Sequence, residues 1–514
     1  MVYGQSHKSV SQEESGLASF IKDSLRPISF MYMAWLTTAI FISYIVYIFS
    51  RSSLEGSLIY SQMAYYLFLI VHVLFRLRTG GARNVLAPDM IFVMFYTLFH
   101  LGYVTLYALK IVPYSEYIFH YTSSVPKALC IINIGLIGFL FGYELMGKKR
   151  RDNVYVERVI APTDSWYLLG VSLMMVALLM HFAGLFFLGF DTIMHYGYSA
   201  IQNATKYTSY WNALLIGKST FVMVMGMSIS MIANSLRHGK LFHSKLAMGL
   251  AIVYAVTVTL EGERGSILSL GIPLLLIRHY FVKKVQIKYL MVFFLTAIVL
   301  FTGLRAVRTI VFQPAKMLAE YKEQKSLNPE SVAWYSAFVE MGTSFLVVDI
   351  VASDVPSEEP YWKGASWRDS VIHIVPFLQG FSLRRGWSTW SPSDWVTITY
   401  YGRKRAGRAF TVAAEGFLNF GFPGVFIELM VIGMFIRWLT AKFSRKPCAM
   451  WGLIMIGCYL PLIMVIRNHL NIVTNKCFLV FVVAFFLNVF LGNESDQEEA
   501  EYGQLLEDYP GSPT

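Results

Sequence analysis

Long apolar runs separated by short polar connections fill most of the chain. The first six are Phe30 to Ser50, Ser57 to Phe75, Met90 to Val112, Ala128 to Met146, Trp166 to Gly189 and Ala213 to Asn234. Six more follow: Leu246 to Leu260, Ser266 to Ile277, Leu290 to Leu304, Phe422 to Leu439, Cys448 to Val465 and Val473 to Leu491. A bilayer crossing takes about 20 mostly apolar residues, and backbone surrounded by lipid must satisfy its own hydrogen bonds, so each run predicts a helix. The expected fold is an all-α integral membrane protein with about twelve transmembrane helices. The Ser266 run is short for a crossing and should extend into flanking residues whose side chains snorkel. The first run has full span length and predicts a retained anchor rather than a cleaved signal.

One stretch breaks the pattern. Residues 305–410 are polar and rich in Trp, and they predict a large loop outside the bilayer that carries amphipathic helices. Within it, Val332 to Ala352 is apolar enough to span apart from Glu340 and Asp349. It is expected not to span, because a crossing there would put two carboxylates at bilayer depth and reverse the side of every later connection.

Lys and Arg near span ends stay on the cytoplasmic side. Alternate connections are basic: Lys22 and Arg26, Arg76 to Arg83, Lys148 to Arg151, Arg237 to Lys245, Arg278 to Lys288 and Arg437 to Lys446. The expected organisation is therefore a cytoplasmic tail (1–29), about nine helices (30–304), an extracytoplasmic loop (305–410), about three helices (411–491) and an acidic cytoplasmic tail (492–514) that is too polar to fold. Both termini face the cytoplasm, and the loop faces the periplasm.

Composition and charge add little to this picture. A mean hydropathy of +0.51 fits a chain whose solvent is largely lipid. The net charge of +11 is in good part the topological bias of cytoplasmic loops, and with no basic-aromatic module visible nucleic acid is rejected as a partner. Cys130, Cys448, Cys458 and Cys477 lie in or beside spans, so neither a disulfide framework nor a zinc site is expected.

Topology does not account for the basic residues of the outer loop, Arg305, Arg308, Arg384, Arg385, Arg403, Lys404, Arg405 and Arg408. A guanidinium fork suits phosphate oxygens and stays charged when partly desolvated. Arg305 and Arg308 share a helical face by their spacing, which suits a pyrophosphate clamp and equally an ordinary headgroup anchor. The Arg403 to Arg408 cluster suits an anion site or a solvated face. The turn Glu261 to Gly265 (EGERG) puts Arg264 at a helix start, where unpaired N–H groups favour an anion. Glu261 and Glu263 would then compete with that anion or hold Arg264 in place. Trp334, Trp362, Trp367, Trp387, Trp390 and Trp395, with Tyr400 and Tyr401, suit sugar stacking as well as an interfacial belt; Ser391, Ser393 and Asp394 lie among them.

Ser391 to Trp395 (SPSDW), Thr397 to Gly402 (TITYYG), Ala409 to Gly421 (AFTVAAEGFLNFG) and Pro423-Gly424 resemble the signature of bacterial repeat-unit polymerases of the Wzy type. The outer Gly-Glu-Arg-Gly turn is similar to a Gly-Ser-Arg-Gly turn that this superfamily shares with O-antigen ligases, with Glu263 in place of Ser. Arg405 and Gly416 match an Arg-x10-Gly spacing of some members. The resemblance implies a GT-C-like helical glycosyltransferase fold, with the outer loop closing over a lipid-facing cavity. The substrates it implies are glycans linked to undecaprenyl pyrophosphate, as both donor and acceptor. A chain-length regulator is a further partner to consider.

Such chemistry needs charge stabilisation on the departing pyrophosphate and removal of a hydroxyl proton. No D-x-D metal motif occurs, no metal or other cofactor is expected, and arginines are expected to take a divalent cation's place. Arg264 and Arg408 lead, with Arg405 and Arg467 in support. Glu415 is the candidate base, as a lone carboxylate in the small-residue run Val412 to Gly416; a structural Glu pairing with an arginine is the competing assignment. Asn419 suits substrate orientation or a helix cap, His373 is a second possible base, and Arg467 with His469 can complete the pocket. A ligase, or a flippase or other transporter for lipid-linked oligosaccharide, shares the same layout. No internal repeat supports a transporter.

Overall fold

The computed structural model describes residues 27–78, 86–115, 118–119, 121–146, 164–188, 210–241, 244–261, 264–286, 288–292, 295–296, 322, 326, 335–374, 391–402, 410–445 and 448–491. Among these the protein is helical, with no strand. Its helices are α1 (Pro27–Ser50), α2 (Leu54–Arg78), α3 (Pro88–Ala108), α4 (Val125–Leu145), α5 (Asp164–Leu188), α6 (Tyr210–His238) and α7 (Lys245–Leu260). They continue with α8 (Arg264–Ile277), α9 (Ser336–Asp354), α10 (Ala365–Ile374), α11 (Pro392–Tyr401), α12 (Val412–Arg445), α13 (Ala449–Met464) and α14 (Leu470–Leu491). Ten described helices are long and apolar enough to cross a membrane, and α7 and α13 are shorter apolar helices. The protein is an all-α, multi-pass integral membrane protein. The short Ser266 run does lengthen, since a π-helical turn, Arg278–Val282, continues α8. Most of the Leu290 to Leu304 run lies outside the described residues.

Two groups of helices make up the bundle. In the first, α4 is central and packs on α1, α2 and α12, while α9 lies on α3 and α4. In the second, α5 and α6 pack closely with α7 and α8 alongside, and α13 joins the groups by touching α6, α8 and α12. Lipid tails supply no hydrophobic drive between helices, so close backbone approach has to come from small residues. On α4, a Cβ at Gly138 would lie 2.6 Å from the Phe426 carbonyl, and one at Gly142 would collide with the Met430 carbonyl. That seam holds α12 against the core.

Buried contacts define the two ends of the bundle. At one end, Asp89 in the first turn of α3 is fully buried and takes both the Nε (2.8 Å) and Nη2 (3.2 Å) of Arg76 from α2. His72 Nε2 lies 3.3 Å from the same carboxylate, and Tyr32 of α1 bonds His72 Nδ1 at 2.7 Å. The Tyr143 ring of α4 lies under the guanidiniums of Arg76 and of Arg437 from α12. Tyr280, just past α8, reaches the Leu86 carbonyl, and Tyr459 of α13 the Pro88 carbonyl. Phe281, just past α8, packs on Gly452 in the first turn of α13, so α8 and α13 run in opposite directions, with Arg264 starting α8 at the far end.

At that far end, α9 packs Phe338 at Gly102 of α3 and Gly342 at Tyr103 and Ile118, and Phe345 meets Phe119. Asp349 accepts the Tyr121 N–H and the Ser124 hydroxyl, and the Lys127 ammonium caps the Ala352 and Val355 carbonyls at 2.8 Å each. Although α9 has the length and hydropathy of a span, these partners run from the second half of α3 to the first turn of α4. It is offset toward the Arg264 end. Removing one member of a buried ion pair strands the other, so Arg76→Ala should cost about 3–5 kcal/mol. The measurement is the Tm of the purified protein in detergent; an unchanged Tm would show that the Asp89 cluster does not hold these helices together.

Candidate active site

Helix α12 opens on the small residues Val412 to Gly416. Thr411 starts it, accepting the Ala414 N–H on its hydroxyl (3.1 Å) and the Glu415 N–H on its carbonyl (2.9 Å). The helix then breaks. Phe420 (φ −144°, ψ 21°) and Gly421 (φ 65°, ψ −149°) leave helical geometry, and the positive φ suits glycine. Pro423, lacking an N–H, is tolerated just past the break, at the start of the second arm. The two arms fold tightly together: a Cβ on Gly416 would sit 2.7 Å from Val425 Cα, and one on Gly424 would strike the Gly416 carbonyl.

Breaking a helix orphans the last carbonyls of its first arm. Here the strap joining α9 to α10 takes them. Trp362 N–H donates to the Leu418 carbonyl (2.9 Å), and Lys363 N–H donates to that of Asn419 (3.0 Å). The Asn419 side chain completes the joint, accepting the Gly364 N–H (3.1 Å) while donating to Ser366 Oγ (2.7 Å) and to the Glu415 carbonyl (3.0 Å).

Glu415 extends from the first arm and is fully buried. Its Oε2 accepts the N–H of Leu470, the first residue of α14, at 2.7 Å. A carboxylate is favoured there by the unpaired amides and the helix dipole. Its Oε1 takes no backbone N–H, and the Ser366 hydroxyl of α10 is the side chain within hydrogen-bonding reach of the carboxyl. A second buried carboxylate, Glu428 on the other arm, lies within electrostatic reach of Glu415. Glu428 Oε2 accepts the Trp367 indole N–H at 2.7 Å, and its Oε1 is unpartnered. Consecutive residues of α10 thus tie down both arms, Ser366 through Asn419 and Trp367 through Glu428.

The end of α13 meets this joint, since the Val465 carbonyl accepts the Val412 N–H at 3.3 Å. Arg467 follows, a third exposed, 3.7 Å from Glu340 Oε1 of α9 and 5.9 Å from the centroid of the Phe99 ring. His469 is buried beside the start of α14. Of the sequence candidates, Glu415, Asn419, Arg467 and His469 come together here, and Arg264 starts α8 at the same end. The Arg264 guanidinium lies outside the described atoms, as does the His373 side chain on α10. Ser391 caps α11, accepting the Asp394 N–H and donating to its carboxylate. Trp395 is buried against Trp362 and Tyr400, so its ring is occupied by packing. Arg305, Arg308, Arg405, Arg408 and Trp390 lie outside the described residues.

Sequence reasoning missed Glu428, Ser366 and the donor role of Trp367. A carboxylate inside an apolar run was the available signal for Glu428; the other two depend on contacts across some sixty positions of chain, as in Trp367 to Glu428. A family model described as O-antigen polysaccharide polymerase Wzy matches residues 29–495. No curated protein and no solved structure matches the chain. Asn419→Ala should leave the Gly364 N–H unpaired at a cost of about 1–3 kcal/mol and speed amide exchange at residues 362–364. Unaltered exchange there would mean that the strap is held by something else.

Proposed function

Since the chain belongs to the O-antigen polysaccharide polymerase Wzy family, we propose that it joins oligosaccharide repeat units carried on undecaprenyl pyrophosphate at the outer face of the bacterial inner membrane. The growing glycan on its lipid pyrophosphate is the donor. A hydroxyl at the non-reducing end of a single lipid-linked unit attacks the donor's anomeric carbon, its proton passes to a base, and the bond to the lipid pyrophosphate breaks. The observation that carries this reading is the α12 joint, where a buried carboxyl met by no cation among the described residues lies at the same end of the bundle as the first residue of α8.

Glu415 is the base in this scheme. Its Oε2 is committed to Leu470, and Oε1 is the atom that takes the proton. Access to Oε1 requires α10 to shift, because its first turn is bonded to both arms. Arg264, Arg408 and Arg405 balance the charge on the departing pyrophosphate in place of a divalent cation, with Arg467 freed from Glu340 to join them. Arg305 and Arg308 hold the lipid end at the headgroups. Both termini lie in the cytoplasm, following the charge bias. Helix α9 then belongs to the outer layer, in keeping with its offset along α3, and residues 305–410 form the outer loop.

Arg264→Ala and Arg408→Ala should abolish polymer in cells lacking the native copy, leaving single-repeat caps while the protein stays in the membrane. Wild-type chain lengths in both would remove the pyrophosphate clamp. Glu415→Gln should lower kcat by about 100-fold or more with little change in KM, as loss of a general base does. An unchanged kcat would make Glu415 a helix cap only.

A further inference from the structure

Behind the Arg264 turn lies a buried hydrogen-bond chain that the proposed chemistry does not use. Glu261, the last residue before the turn, points inward and is 2 % exposed. Its Oε1 meets His181 Nε2 of α5 at 2.7 Å. His181 Nδ1 bonds Ser219 Oγ of α6 (3.0 Å), Ser219 bonds the Tyr254 hydroxyl of α7 (3.1 Å), and Tyr254 bonds Thr220 of α6 (2.8 Å). Thr220 then bonds Ser266 Oγ in the first turn of α8 at 3.1 Å. The chain starts just before the turn and ends just after Arg264, so both flanks of the turn are fastened to α5, α6 and α7. We infer that His181 and Glu261 are positioning residues that fix the backbone at Arg264, and through it the guanidinium, against the donor pyrophosphate.

The hydrogens fit one arrangement. With the Ser219 hydroxyl donating to the Ile216 carbonyl (2.8 Å), which can only accept, Ser219 accepts from a hydrogen on His181 Nδ1, and every member of the chain is satisfied. On the other side of the ring, a hydrogen must lie between Nε2 and Glu261. An amide at position 261 supplies it equally well, donating to Nε2, whereas a methyl group leaves the buried ring nitrogen unpaired. The device is therefore geometric and indifferent to the charge of residue 261. It separates Glu261 from any role as an ion partner of Arg264.

The inference rests on Arg264 acting as proposed, and the test keeps the two apart. Full-length variants in proteoliposomes would be given lipid-linked repeat units extracted from cells lacking this protein, and turnover at saturating substrate measured. His181→Ala and Glu261→Ala should lower kcat by about 100-fold, the scale set by misplacing a catalytic group by an ångström, while Glu261→Gln stays within a few-fold of the native rate. His181→Ala combined with Arg264→Ala should be no slower than Arg264→Ala alone, since both act through one guanidinium. If His181→Ala does not fold, Thr220→Val opens the chain at its far side and should also slow turnover. Full activity of Glu261→Ala beside an inactive Arg264→Ala overturns the positioning inference, as does a Glu261→Gln rate as low as that of Glu261→Ala, or multiplicative losses in the double variant. Full activity of Arg264→Ala overturns the clamp itself.

Discussion

The organising constraint is the obligation of backbone carbonyls to find partners where water is scarce. An unbroken α12 would satisfy its own; by breaking at Phe420 and Gly421 it frees the carbonyls of Leu418 and Asn419. In a membrane protein such groups are tolerated only where other protein covers them. The strap from α9 to α10 is that cover, and Asn419 ties the covering backbone to the first arm. Burial of Glu415 and Glu428, the seat of α10 and the entry of the strap all follow from this exchange of partners.

The two ends of the bundle treat their polar groups differently. At the Asp89 end, the carboxylate is met by a bidentate Arg76 and by His72, with aromatic faces filling the remaining space. That arrangement fastens α1, α2, α3, α4 and α12. At the Glu415 end, two buried carboxyls are each met by a neutral N–H, with the Ser366 hydroxyl beside Glu415. Arg467 meanwhile pairs loosely with Glu340, at 3.7 Å and partly exposed. Burying a carboxyl beside uncharged donors costs stability, and such groups are retained where chemistry needs them. The Asp89 carboxylate is thus neutralised by a guanidinium, whereas Glu415 and Glu428 are met by uncharged donors.

Much of the fold was legible in the sequence, because apolar length is a local property. The runs through α1 to α8 and α12 to α14 match helices, and the expected start of a span at Phe422 falls at the break in α12. What precedes it, Val412 to Asn419, reads as a small-residue run rather than as a helical arm packed back on its neighbour. Glu415 stood out as a lone carboxylate among small residues. Its partner Leu470 did not, since a backbone N–H has no signature of its own. Sugar platform and belt residue are the roles the sequence suggests for Trp367 and Trp395, and neither anticipates an indole that donates to Glu428 or one packed on Trp362. His181 sat unnoticed in an apolar run because its partner, Glu261, is distant in sequence.

Helix α8 begins with Arg264 at the end of the bundle where α12 supplies its carboxylates, and α13 and α14 close the same end through Val465 and Leu470. In the proposed reaction the leaving pyrophosphate lies at the first turn of α8 and the attacking sugar at the α12 joint. A density map of the protein with a non-cleavable analogue of its lipid-linked repeat unit tests this most directly. The pyrophosphate should lie against the Arg264 guanidinium and the terminal sugar should face Glu415, with α10 displaced. Glycan bound at the Asp89 end, or a bound substrate with the Arg264 guanidinium directed into lipid and α10 unmoved, would contradict it.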